Sequence, residues 1–177
     1  MTSTANIAIE IQSIDDLITA LSEEERTEFN HIIRSVNLPA KAFEDYSSWS
    51  SECYTRNCIL DNEQFELILI CWGGGQRTPI HDHGGEECWV KVIEGKFKEC
   101  IYNEKEDGEL EVVKSSIVDV NEVSYMIDFM GFHSLENLSD ERSMSLHLYA
   151  KPIRSCRAFD EESKSFVQKN LSYHTKA

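Results

Sequence analysis

Positive charge is scarce in this chain of 177 residues: 17 Lys and Arg stand against 32 Asp and Glu, a formal net charge of −15. So acidic a surface repels phosphate backbones, and no Lys/Arg cluster offsets it, which argues against nucleic acid as a partner and against anionic membranes. Long apolar runs are lacking too. The longest, Leu67 to Trp72, falls far short of the ~20 residues a bilayer-crossing helix needs. The start, Met1-Thr2-Ser3-Thr4-Ala5-Asn6, has no basic segment leading into an apolar one, so no secretion signal is expected. Closely paired cysteines are also missing: the six, at 53, 58, 71, 88, 100 and 156, form no CxxC. They read as reduced thiols of a cytoplasmic protein rather than as a disulfide framework.

What is present suffices for a folded core, with 41% hydrophobic and 10% aromatic residues. The first third reads helical. Ser13-Ile14-Asp15-Asp16 places a capping serine three residues ahead of a carboxylate, followed by Leu17, Ile18 and Leu21 at helical spacing. Ser22-Glu23-Glu24-Glu25 repeats the device and predicts a second helix carrying Phe29, Ile32, Ile33 and Val36. Pro39 ends that region and starts a short third helix through Phe43. From about Ser51 the texture changes to strands. Phe65 to Trp72, two strands around Glu94-Gly95-Lys96, Ser115 to Val120, Ser124 to Ile127 and Met144 to Tyr149 are expected as β-structure, with a solvated hairpin loop at Asn103 to Gly108. Short strands at regular spacing predict a sandwich or barrel. No linker or repeat divides the chain, so one domain over residues 1–177 is expected: a helical part over 1–50, then a β-barrel and tail over 51–177.

Chemistry concentrates at Gly75-x5-His81-x-His83-x4-Cys88-x6-Gly95. On a strand, residues i and i+2 face the same way, so His81 and His83 offer one metal two imidazoles. His133, in Gly131-Phe132-His133, adds a third fifty residues later. Three neutral imidazoles leave a divalent ion's charge uncompensated and favour an anionic ligand. A closed structural zinc site needs a fourth protein ligand, and spacing alone leaves Cys88 open for that role. Lone His31 and His174 are assigned no chemistry; Glu86 and Glu87 beside the site read equally as ligands or as a flexible solvated turn.

The histidine motif and its partner, Gly131-x-His133-x3-Asn137, resemble the two cupin motifs, with Cys88 where glutamate is usual. Tyr54-Thr55-Arg56-Asn57, Ser145-Leu146-His147-Leu148-Tyr149 and Cys156-Arg157-Ala158-Phe159-Asp160 make the resemblance specific: the chain resembles the cysteine dioxygenase family of thiol dioxygenases from about Tyr54 to Asp160. The fold this implies is mainly β, a cupin barrel with N-terminal helices. The resemblance implies Fe(II) bound by His81, His83 and His133, and L-cysteine and dioxygen as substrates, giving cysteine sulfinate. It further implies Arg56 on the substrate carboxylate with Tyr54 beside it, a relay of Ser145, His147 and Tyr149, and a Cys88–Tyr149 thioether crosslink. It also implies a monomer.

Ala150-Lys151-Pro152 stands where the mammalian-type pattern has Ser-Pro-Pro, which puts a family cis-proline bend in question. Cys156 is either a pocket thiol or a packed one, and Arg157 either a surface cation or a second anion contact. Two other functions compete. One is oxidation of a different carboxylate thiol such as 3-mercaptopropionate. The other is a metal-binding cupin without turnover.

Overall fold

The computed structural model describes residues 10–177. Helix α1 spans Ile14–Glu23, and the Ser13 side chain accepts from Asp16 N–H as the capping pattern requires. Its buried stripe is Ile14, Leu17 and Leu21. The second expected cap does not form. Ser22 still lies inside α1 and its hydroxyl donates to the Ile18 carbonyl at 2.7 Å, so Arg26–Glu28 form a 3-10 turn before α2, Phe29–Ser35, begins without a side-chain cap. A further 3-10 segment, Ala40–Tyr46, follows Pro39.

Eleven strands follow among the described residues: β1 Thr55–Asp61, β2 Glu66–Trp72, β3 Cys88–Glu94, β4 Phe97–Glu104, β5 Leu110–Val118, β6 Val123–Met126, β7 Phe132–Asn137, β8 Ser143–Tyr149, β9 Ser155–Asp160, β10 Ser165–Asn170 and β11 Thr175–Lys176. Tyr54-Thr55-Arg56-Asn57 therefore runs into the first strand instead of preceding it. The strands form a six-stranded sheet in the order β11-β1-β2-β8-β3-β6, a three-stranded sheet β5-β4-β7 and a hairpin β9-β10. All peptide bonds among the described residues are trans, Lys151-Pro152 included.

Strand parity sorts the side chains of the large sheet into two cores. Leu67, Leu69, Cys71, Trp89, Leu146 and Leu148 turn outward onto Leu17, Leu21, Phe29, Ile32 and Ile33 of the helices. Ile68, Ile70, Trp72, Cys88, Val90, Val92 and Tyr149 turn inward and meet Phe97, Val118 and Leu135. Both β2 and β8 are thus buried along their whole length, which explains why β2 reads as a continuous apolar run rather than an alternating one.

Glu94-Gly95-Lys96 is a corner rather than a hairpin, since β3 lies in the large sheet and β4 in the small one. Gly95 has φ +91°, and a Cβ there would collide with the Ser143 side chain. Ser143 cannot swing away, being buried and donating to Asn137 Oδ1 at 2.9 Å. Gly95→Ala is expected to cost about 1–3 kcal/mol of stability, read as a lower denaturation midpoint in urea at unchanged slope.

Candidate metal centre

His81 and His133 meet through the backbone. Each donates its N–H to the other's carbonyl at 2.9 Å, in an isolated bridge outside the regular strands. His81 also bridges to Ala158. The expected strand beneath His81 and His83 is absent, and an extended segment pinned at both ends does its work. Asp82 and Asp128 complete the pinning. Buried Asp82 accepts from Arg157 N–H at 2.8 Å and Arg157 Nε at 2.7 Å. Asp128 accepts from the N–H groups of His83 at 2.8 Å and Gly85 at 2.5 Å. Of the two readings of Arg157, the surface cation is the one the structure supports: it is exposed, paired with Asp82, and lies 4.9 Å over the Phe132 ring.

The potential ligand atoms of His81, His83 and His133 lie within 4.8 Å of one another. Burial holds His81 down to about 3 and His83 well below the usual imidazole value, so their lone pairs are free of protons near neutrality. The outer nitrogens are directed. His81 Nδ1 donates to the Pro79 carbonyl at 2.9 Å, and His133 Nδ1 donates to Glu99 at 3.0 Å. These bonds leave each Nε2 as the acceptor. His83 Nε2 lies 2.9 Å from His133 Nε2; with His133 accepting, His83 is the donor and its Nδ1 is buried without a partner. A metal held by these histidines would need the His83 lone pair on Nε2, with the proton carried on Nδ1. The donor set therefore fits a divalent metal with positions left open. Cys88 is not in the cluster among the described residues, and burial pushes its thiol far up, away from the thiolate a zinc ligand needs.

Glu99 is the residue the sequence did not single out here. Buried, it accepts from His133 and from the Ser124 hydroxyl at 2.5 Å. Burial raises its pKa, and those hydrogen bonds more than offset the rise. The negative charge that the imidazoles lack thus sits behind one of them.

The three histidines line a cavity of about 180 Å³ with Tyr54, Arg56, His147, Tyr149, Cys156 and Lys169. Arg56 Nε and Nη2 are buried without a hydrogen-bond partner. Burial tends to lower its pKa, and Tyr149, Glu66 and Tyr54 around it raise it on balance. Ser145, His147 and Tyr149 do face one way, but the relay runs otherwise than expected. Trp72 Nε1 donates to Ser145 Oγ at 2.9 Å, and Ser145 Oγ lies 2.8 Å from His147 Nε2. The indole N–H donates, and Ser145 Oγ, which can both accept and donate, pairs with His147 Nε2; His147 Nδ1 is buried and unpartnered. His147 and Tyr149 are stacked with centroids 6.3 Å apart, and no hydrogen bond joins them. Tyr149 instead neighbours Cys88, its direct partner across β8 and β3, and interacts with Arg56.

Cys53 is exposed, while Cys58, Cys71, Cys100 and Cys156 are buried. Glu87 is no free turn residue: it accepts from Arg26 Nε and the Tyr125 hydroxyl, each at 2.6 Å. His174 Nδ1 accepts from Arg56 N–H at 3.1 Å.

Glu99→Gln is expected to weaken metal binding about 10- to 100-fold, measured by competition with a chelator of known affinity. Unchanged affinity would assign Glu99 a packing role only.

Comparison with known proteins agrees with this geometry. The family described as cysteine dioxygenase type I matches residues 2–162, reaching further toward the N-terminus than the motifs alone. A human cysteine dioxygenase type 1 is 34% identical over 135 residues, covering 74% of this chain and 68% of that one. Its counterpart from Danio rerio is 29% identical over 163 residues, covering 86% and 81%. Among solved structures, a double-stranded β-helix domain protein from Klebsiella pneumoniae superposes with a TM-score of 0.52 at 16% identity over 65% of this chain and 91% of its own, a likeness of fold. The chain belongs to the cysteine dioxygenase type I family.

Proposed function

We propose that this protein oxidises the thiol of L-cysteine with dioxygen to cysteine sulfinic acid at an iron centre. The observation that carries this reading is a buried cluster of three histidines sharing one cavity with a buried arginine whose Nε and Nη2 have no partner. Both atoms of dioxygen pass to sulfur, thiolate to sulfinate, so no external reductant enters. His81, His83 and His133 would hold Fe(II), which supplies the redox chemistry and accepts the thiolate.

The chain's own groups bind and orient. Arg56 receives the substrate carboxylate through the two unpaired N–H groups, a geometry suited to a planar anion. Tyr54, stacked near Trp72 with centroids 4.8 Å apart, walls the same end. Burial keeps the Tyr149 hydroxyl protonated, its pKa pushed well up, so it serves as a donor in the cavity. The Trp72–Ser145–His147 chain fixes the orientation of the His147 ring, with Nε2 on Ser145 and Nδ1 on the opposite side.

Cys88 and Tyr149 are the proposed partners of a thioether. A carbon–sulfur bond forms at the Tyr149 ring, the S–H and one ring C–H are lost, and two electrons and two protons pass to dioxygen. Support comes from their direct pairing across the sheet and their shared inward face. We place the enzyme in the cytoplasm as a monomer and a single cupin domain over residues 1–177, with 1–50 as its helical part. Six unbonded cysteines support the reducing compartment, and no described helix is long and apolar enough to cross a membrane.

Oxygen uptake by the Fe(II)-loaded protein tests the reading. L-Cysteine is expected to stimulate uptake, and Arg56→Ala to raise KM about 10- to 150-fold, the loss of hydrogen bonds between charged groups. Absence of uptake with iron bound would refute the assignment. After aerobic turnover, peptide mass spectrometry is expected to show loss of two hydrogens on linked peptides containing Cys88 and Tyr149, and no such species in Cys88→Ser.

A further inference from the structure

Glu66 opens β2 and is fully buried on the same face as Ile68, Ile70 and Trp72. Its partner on β8 is Tyr149, whose partner on β3 is Cys88, so the three side chains stand in one row across the sheet. Packing alone would favour an apolar residue here, as at Ile68 and Ile70. The surroundings instead serve an anion. The Tyr173 hydroxyl donates to Glu66 Oε1, Ile153 N–H donates to Oε2 at 3.4 Å, and Arg154 Nη1 lies 3.5 Å from Oε1. Burial raises the Glu66 pKa, and every named partner, being a donor, works against that rise and favours the carboxylate.

Arg56 is the other half of the arrangement. Glu66 stands directly behind the three-histidine cavity: its strand partner Tyr149 and its donor Ile153 both line it with Arg56, and its charge acts on the guanidinium beside the phenols of Tyr54 and Tyr149. No hydrogen bond joins Glu66 to Arg56 Nε or Nη2, which stay unpartnered. One segment braces both residues: His174 N–H donates to the Arg56 carbonyl at 2.7 Å, and the preceding Tyr173 holds Glu66.

We propose that Glu66, held by the Tyr173 hydroxyl, is a positioning residue that sets how strongly Arg56 attracts the substrate's carboxylate. The proposal rests on the reading of Arg56 as the carboxylate receptor. A buried guanidinium without a counter-charge is costly. Glu66 offsets that charge from outside hydrogen-bonding reach of Nε and Nη2, so these N–H groups stay aimed at the cavity. The same negative charge opposes an incoming carboxylate. Glu66 thereby holds the affinity for carboxylate thiols below what Arg56 alone would confer, and the C-terminal segment becomes part of substrate selection.

Anaerobic calorimetry on the Fe(II)-loaded protein reads binding without turnover. Glu66→Gln keeps the shape and removes the charge. It is expected to tighten L-cysteine binding about 3- to 30-fold, the effect of removing one buried charge that does not touch the ligand, at an effective dielectric near 20. Cysteamine, which has no carboxylate, is expected to change less than about twofold. Tyr173→Phe removes one donor, favours the protonated carboxyl, and is expected to move L-cysteine the same way by a smaller factor. In oxygen uptake, Glu66→Gln lowers KM for L-cysteine while kcat stays within about twofold. Unchanged or weaker L-cysteine binding in Glu66→Gln, or an equal change for both thiols, overturns the proposal. If Glu66→Gln does not fold, unchanged or weaker L-cysteine binding in Tyr173→Phe overturns it instead. A wild-type protein that takes up no oxygen counts against the catalytic reading, and the calorimetric comparison still decides the role of Glu66.

Discussion

Two reciprocal backbone hydrogen bonds between His81 and His133, each 2.9 Å, join two segments distant in sequence. His133 lies in β7 while His81 lies outside the regular strands, so these bonds, with the bridge from His81 to Ala158, fix where the imidazoles converge. The carboxylates of Asp82 and Asp128 secure the loop that follows by capturing backbone N–H groups. Glu99 and the Pro79 carbonyl then direct the rings. A metal centre built this way draws its rigidity from main-chain pairing and its charge balance from behind the ligands.

Strand parity supplies the second constraint. Because β2, β3 and β8 bury both faces, every odd–even step along them switches between the helix-packed core and the barrel interior. Leu146 and Leu148 anchor the helices, while Ser145, His147 and Tyr149 project into the interior from the same strand. A one-residue slip would exchange the two sets. Full apolar packing on one side thus protects a polar row on the other, where Glu66, Tyr149 and Cys88 share a register.

Much of this was legible in the sequence, for identifiable reasons. The three histidines, Arg56 and the alternation at 145, 147 and 149 are short-range patterns with few alternative meanings once combined, and the structure brings all of them but Ser145 to the wall of one cavity. Ser13 acted as the cap its spacing implied, whereas Ser22, with the same local pattern, was still inside the first helix; a capping pattern does not say where the preceding helix stops. β9 and β10 were missed because exposed or half-buried pairings leave a weak hydrophobic pattern; β1, the largely buried β7 and the two-residue β11 were not anticipated either. Glu99, Trp72 and Glu66 escaped for another reason. Their roles depend on partners 34, 73 and 107 residues away, and no local spacing encodes those contacts.

The central claim is that the three-histidine cavity delivers both atoms of dioxygen to a cysteine sulfur held by Arg56. The most direct measurement is mass analysis of the product formed from L-cysteine under isotopically labelled dioxygen by the iron-loaded protein. The account predicts cysteine sulfinate carrying two labelled oxygen atoms from the gas. Sulfinate with one label, or cystine with no sulfinate, would contradict it.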